Sequence, residues 1–201
     1  PDGARNLYNA VAVAASAKSK NHGVMVVMND AILTAKEVTK ANTTQVSTFI
    51  ARNSGPVGNV ELGDVNFYQM PVTANSIFDV SSLKVLPQVD IVYGYANASP
   101  VPVNTLVESG TKGIINAGVG NGNLYPDIEE ALKAARSKGV VVVRSSRVGS
   151  GHVLRNSEVN DDELDFVVAD DLSPHKARIL LMLALTRTKD TAQIQQWFYD
   201  F

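Results

Sequence analysis

The run GIINAGVGNGNLYPDIEEALKAARSKGVVVVRSS, residues 113–146, constrains the fold more than any other part of the chain. It opens as a short apolar β-rich segment, breaks at a glycine-rich turn, continues as a helical pattern and ends in a second β-rich segment. Pro126 suits the first turn of a helix, where its missing N–H has no partner to lose. Ile128, Ala131, Leu132 and Ala135 recur at helical spacing and predict a buried stripe, and Gly139 supplies the stop. Strand, helix and strand in this order make a βαβ unit, whose two strands run parallel. The neighbouring segments extend the pattern. VDIVYGY and DFVVAD read as strands and VNTLVESG as a helix; Ser173 and Pro174 open a further helix through HKARILLMLALTRT, and AQIQQWFYDF closes with a short one. A parallel sheet flanked by helices is therefore expected over residues 88–201.

The first seventy or so residues are less regular. Asp2 can cap a helix through NLYNAVAVAASA, with Leu7, Val11, Ala14 and Ala15 on one face. GVMVVMND predicts a short buried strand ending at Asn29 and Asp30, and VELGDVNFYQMP predicts a hairpin turning at Gly63 and Asp64. One long helix and one convincing core strand offer little apolar surface for an independent unit, so further sequence upstream is expected. Residues 77–87 have weak periodicity and read as a connector. The expected organisation is an amino-terminal unit over residues 1–76, the connector, and a carboxyl-terminal α/β domain over 88–201.

Composition narrows the function. A hydrophobic content of 45% predicts a soluble globular protein, and 18 Lys plus Arg against 20 Asp plus Glu leave none of the basic excess that nucleic-acid binding needs. The chain has no cysteine, hence neither disulfides nor thiolate metal cages, and that alone leaves the compartment open. No apolar run approaches the roughly 18 residues of a membrane span. His22, His152 and His175 have no metal-motif spacing and read as surface histidines. The acidic run Asp161, Asp162, Glu163 and Asp165 lacks the spacing of a calcium loop and reads as a solvated face.

Two candidate sites remain. Gly118, Gly120 and Gly122 suggest a dinucleotide fingerprint, but that motif wants a glycine three residues after its second, where this chain has Asn123, and the next strand ends in Arg144 rather than an acid. A tight turn of positive φ explains the glycines, while Asn121 and Asn123, at the carboxyl end of a parallel strand, could bind a small polar ligand. Lys40, in AKEVTKANTT, sits among hydroxyls and amides where a lysine can act as a base; a merely solvated lysine is the alternative.

The segments DGARNLYNAV, GVMVVMND, EVTKANTT, YANAS, AGVGNGNLY, VVRSSRVGSG and LSPHKARILLMLALTRTKD together resemble the bacterial type II L-asparaginases and the related glutaminase-asparaginases, in that family's order and close to its spacing. The resemblance implies part of an amino-terminal α/β domain followed by a smaller carboxyl-terminal one, and a periplasmic homotetramer whose active sites are each built from two subunits. It also implies hydrolysis of L-asparagine, or L-glutamine, through a threonine acyl-enzyme without metal or organic cofactor. Lys40 matches the family's catalytic lysine, Asn123 and Glu158 the residues meeting the α-amino and α-carboxylate end of the substrate from the neighbouring subunit, and Tyr125 stands beside them. Asn at position 123, where glutaminase-leaning relatives often carry serine, tilts the preference toward asparagine. The family's glycine-threonine motif with the nucleophile and its threonine-aspartate motif do not occur here, and QMPVTANSIFDV departs from the basic connector the family leads one to expect. This chain is thus expected to be the carboxyl-terminal part of a subunit, inactive alone. A noncatalytic amino-acid-binding module is the competing reading, and a nucleotide-dependent oxidoreductase is a second, weakened by the glycine spacing.

Overall fold

The computed structural model describes residues 2–71 and 77–201, which divide into two compact units, Pro1–Ala74 and Asn75–Phe201. Part of QMPVTANSIFDV therefore lies outside the described residues.

In the first unit, helix α1 (Gly3–Ala15) precedes the hairpin strands β1 (Met25–Met28) and β2 (Ala31–Thr34). The small hairpin β3 (Val38–Lys40) and β4 (Phe49–Ala51) follows, then the hairpin β5 (Gly58–Glu61) and β6 (Asp64–Phe67). The four longer strands form one antiparallel sheet in the order β1-β2-β5-β6. Its core gathers Val13, Ile32, Val57, Val60 and Val65.

Several expectations for this unit need correction. The predicted inner face of α1 is outside: Leu7 is 68% and Val11 60% exposed, and Ala14 and Ala15 are also exposed. Asn9 and Val13 are buried instead. The reason is polar anchoring. Asn9 donates from Nδ2 to Asp30 at 2.8 Å, and the Asn6 Oδ1 accepts the Asn29 N–H at 3.0 Å, so the helix is turned to hold the β1–β2 turn, whose two residues both have positive φ. Asp2 occupies the cap position without a side-chain cap bond; its carboxylate accepts from Asn6 Nδ2. Strand β1 is half-buried rather than buried, because it lies at an edge of the sheet. The β5–β6 turn is Leu62-Gly63, one residue earlier than expected, and both have positive φ, as a two-residue hairpin of this twist requires. His22 is not a surface residue. It is 5% exposed and its ring lies on Phe67, with centroids 3.8 Å apart.

The second unit follows the predicted alternation. Strand β7 (Val89–Tyr93), helix α2 (Val101–Glu108), strand β8 (Gly113–Gly118), helix α3 (Pro126–Ser137) and strand β9 (Val141–Ser146) come in turn. Helix α4 (Asp161–Leu164), the two-residue strand β10 (Val167–Val168), helix α5 (Pro174–Ala184) and helix α6 (Thr191–Asp200) complete it. All pairings are parallel, in the order β10-β9-β8-β7. Side-chain alternation divides the core. Val92, Ile114 and Val142 pack with Val103 of α2 and with Ile128, Ala131, Leu132 and Ala135 of α3, the stripe read from the sequence. Val89, Ile115, Val143 and Val167 face Leu181, Ile194, Trp197 and Phe198 of α5 and α6 on the other side. Both faces are thus covered, as a parallel sheet demands. Residues 77–87 contain no helix or strand; Phe78 packs edge-on against Trp197, with ring centroids 5.0 Å apart.

Candidate active site

Pairing of Gly118 with Ser146 sets the carboxyl ends of β8 and β9 side by side. Two segments leave from there, the turn of residues 118–125 into α3 and the long loop of residues 147–160. A side chain at Gly118 would put its Cβ 2.5 Å from the Asn123 carbonyl oxygen, so only glycine lets the turn fold back so closely. Gly122 has φ +74, and a Cβ there would lie 2.9 Å from the Arg144 guanidinium. The Asn123 N–H donates to the Val119 carbonyl at 2.9 Å and closes the turn. The next helix carries Asp127 and Glu129 in its first turn, which repels rather than attracts a phosphate at its amino terminus. Gly118 and Gly122 therefore serve close packing, and Gly120, with open space around it, supplies a positive φ.

Arg144 organises both segments. It and Asp161 are each 0% exposed and form a two-pronged ion pair, Nε to Oδ1 at 2.6 Å and Nη2 to Oδ2 at 2.7 Å. The remaining guanidinium hydrogens go to the carbonyls of Asn121 and Gly122 in the turn, at 3.1 Å each, and of Leu154 in the loop, at 3.1 Å. Asp161 also accepts the Asn156 N–H at 2.8 Å. A buried charge needs its partners, and here every carbonyl that Arg144 binds belongs to one of the two segments. The expected solvated face is corrected accordingly: Asp161 is a buried ion-pair partner. Asp162 and Asp165 pair with Arg155 and Arg136 at the surface. The carboxyl of Asp162 is held below its ordinary value, first by the Asn156 side chain and then by Arg155. Arg144 and Asp161 were missed as a pair, although an arginine inside a strand, directly after the valines 140–143, is the signal for a buried counter-charge.

Asn121 fastens the same segments farther out. Its Oδ1 accepts the Leu154 N–H at 2.8 Å, and its Nδ2 donates to Ser157 Oγ at 3.1 Å. It is therefore engaged within the protein rather than offered to a ligand. Asn123 differs. It is half-buried, and among the described residues its carboxamide has no partner; nor has the exposed carboxylate of Glu158, one residue beyond Ser157. Tyr125, 37% exposed, sits at the cap position of α3 and accepts the Ile128 and Glu129 N–H groups on its carbonyl. Asn123, Tyr125 and Glu158 thus belong to one pair of fastened segments.

Lys40 belongs to the other unit. It ends β3 opposite Phe49, and its ammonium lies 5.9 Å from the centroid of that ring. The turn beyond it is stiff: Asn42 Oδ1 accepts the N–H groups of Thr44 and Gln45 at 2.9 Å each, and Thr48 Oγ1 bonds both the N–H and the carbonyl of Asn42. Lys40 is exposed, and among the described residues no hydroxyl or carboxylate binds its ammonium. It stands on a rigid hairpin with its charge available. Among the described residues no cluster of His, Cys, Asp or Glu could hold a metal ion, and no helix is long and apolar enough to cross a membrane.

Comparison with known proteins covers both units. Residues 88–198 match the Glutaminase/Asparaginase C-terminal domain and residues 1–73 match Asparaginase, N-terminal. The whole chain is 50% identical to L-asparaginase 2 of Escherichia coli, covering 58% of that protein. It is 48% identical to a probable periplasmic L-asparaginase of Haemophilus influenzae, again over 58% of its length, and 44% identical to the glutaminase-asparaginase of Pseudomonas fluorescens, over 56%. The chain thus spans under three-fifths of the length of these relatives.

Proposed function

Because the chain belongs to the glutaminase/asparaginase family, we propose that it forms part of an amidohydrolase converting L-asparagine to L-aspartate and ammonia, with L-glutamine, which yields L-glutamate and ammonia, as a second substrate. The observation that carries this reading in the structure is the fastened pair of segments that leaves the Asn123 carboxamide and the Glu158 carboxylate without protein partners. An α-amino acid presents an ammonium and a carboxylate on one carbon. An anion and an amide donor brought to one site match that pair by charge-assisted hydrogen bonding.

The reaction proceeds by nucleophilic acyl transfer. A threonine hydroxyl supplied by the part of the polypeptide outside this chain attacks the side-chain amide carbon, and its proton passes by way of Lys40 toward the leaving nitrogen. Collapse of the tetrahedral intermediate breaks the C–N bond and releases ammonia, leaving an ester. Water then attacks the ester carbon, and L-aspartate departs as the threonine recovers its proton. No electron transfer occurs in this sequence, and no metal or organic cofactor enters it. Tyr125, two residues past Asn123, is assigned in this reading to shaping the substrate's surroundings. The family resemblance adds a homotetramer with each site shared between two copies. The relative from Haemophilus influenzae, named as periplasmic, supports a periplasmic location.

The full-length protein is expected to release ammonia and L-aspartate in equal amounts from L-asparagine, undiminished by a metal chelator. A pure amino-acid-binding module would bind L-asparagine and release neither. Glu158→Ala is expected to weaken use of L-asparagine by roughly 2–5 kcal/mol in kcat/KM, the cost of leaving a buried ammonium without its charged partner. Steady-state kinetics beside a melting curve checks this: unchanged kcat/KM in a folded variant contradicts the role.

A further inference from the structure

We propose that Asn121 is a positioning residue that, with Ser157 as its receiver, sets the spacing between Asn123 and Glu158; the inference rests on the amidohydrolase reading above. The Arg144–Asp161 pair locks the inner ends of the two segments, at the carbonyls of Asn121, Gly122 and Leu154 and at the Asn156 N–H. The substrate-facing groups lie beyond that lock, Asn123 past Gly122 and Glu158 past Asn156. Asn121 reaches across with both ends of its carboxamide, 2.8 Å to the Leu154 N–H and 3.1 Å to Ser157 Oγ. Ser157 is exposed, and among the described residues no other hydrogen bond holds its hydroxyl. The stretch that carries Glu158 is held at Asn156 before it and at Asp161 after it, and between these anchors the Asn121–Ser157 bridge is its side-chain tie to the turn.

Asn121 is half-buried and outside the apolar clusters, so its loss leaves the core intact. A positioning role therefore separates from a structural one. Loosening a group that binds substrate raises KM, whereas a poorly folded variant has fewer working sites and lowers apparent kcat at unchanged KM.

The test uses the full-length protein with L-asparagine. Asn121→Ala is expected to raise KM about tenfold with kcat within about threefold of the parent, because a small misplacement of a binding group is felt directly in affinity. Ser157→Ala, which removes only the outer bond, moves KM the same way by less, and Ser157→Thr, which keeps a hydroxyl, restores it. Melting temperatures stay at the parent value. Unchanged KM in both alanine variants, or a loss confined to kcat, overturns the inference while leaving the amidohydrolase reading in place. A parent protein that releases no ammonia from L-asparagine overturns that reading instead, and this inference with it.

Discussion

Full-length protein carrying Lys40→Met is expected to turn over L-asparagine roughly 10²–10⁴ times more slowly than the parent, the range typical of an acid–base group, while melting at nearly the same temperature. The substitution keeps most of the aliphatic stem and removes the ammonium. Lys40 is exposed, and its only contact of note among the described residues is the Phe49 ring, 5.9 Å away. Surface changes of this kind ordinarily alter stability by no more than about 0.5 kcal/mol. The Asn42 and Thr48 bonds that shape the hairpin do not involve Lys40 and stay in place. Any large loss of turnover is then chemical in origin. Single-turnover kinetics locates it in acylation, the step in which the threonine must lose its proton. Near-normal turnover in the variant contradicts the assignment.

The second large effect concerns stability. Arg144→Met is expected to destabilise the carboxyl-terminal unit by about 3–5 kcal/mol, since it leaves the Asp161 carboxylate buried at 0% exposure with no counter-charge. That corresponds to a fall in Tm on the order of 10 °C. Most of the loss comes from the abandoned partner rather than from the bond itself. The double variant Arg144→Met with Asp161→Leu is therefore expected to melt well above the single one, because a buried ion pair replaced by apolar groups of similar size is often close to neutral. If single and double variants melt together, the stability assigned to the pair is misplaced. The double variant still lacks the guanidinium bonds to the Asn121, Gly122 and Leu154 carbonyls, so its KM for L-asparagine stays raised even where its stability returns.

The parts of the fold that could be read from the sequence are those where one physical rule acts alone. Helix α3 has its proline at the first turn, acidic residues behind it, a single apolar stripe and a glycine at φ +82 after it, and each signal agrees with the others. Helix α1 could not be read that way. Its inner side holds Asn6 and Asn9, which fasten the Asn29-Asp30 turn, so hydrophobic spacing pointed to the exposed Leu7 and Val11 instead. His22 was misplaced for a related reason: the ring folds over Phe67, forty-five positions along the chain, and no local pattern encodes that meeting.

The site shows the same division. The asparagine-rich turn at the end of β8 was legible because parallel strands present loops there. That Asn121 is a brace while Asn123 keeps its carboxamide without a partner was not, since the two are alike in type and sit two residues apart. Which of them faces inward depends on Leu154 and Ser157, more than thirty positions away. Asp161 was hidden among Asp162, Glu163 and Asp165, and only its pairing with the buried Arg144 of β9 picks it out. Its hydroxyl- and amide-rich surroundings made Lys40 a candidate base, which the family resemblance strengthened, whereas Glu158, an exposed charge near an acidic run, was picked out by the resemblance alone.

The central claim is that this chain supplies Lys40 to one site and Glu158 to a site shared with a neighbouring copy. Full-length Lys40→Met and Glu158→Ala subunits, each inactive or nearly so alone, can be assembled together under separate affinity tags and assayed for ammonia release from L-asparagine. Equal mixing with random pairing is predicted to leave about a quarter of the sites with both residues intact, because in each mixed pair one site takes its lysine from the Glu158→Ala subunit and its glutamate from the Lys40→Met subunit. Activity should recover to that level. Verified mixed assemblies that remain as inactive as their parents would contradict the claim and return Glu158 to its own subunit or to the solvent.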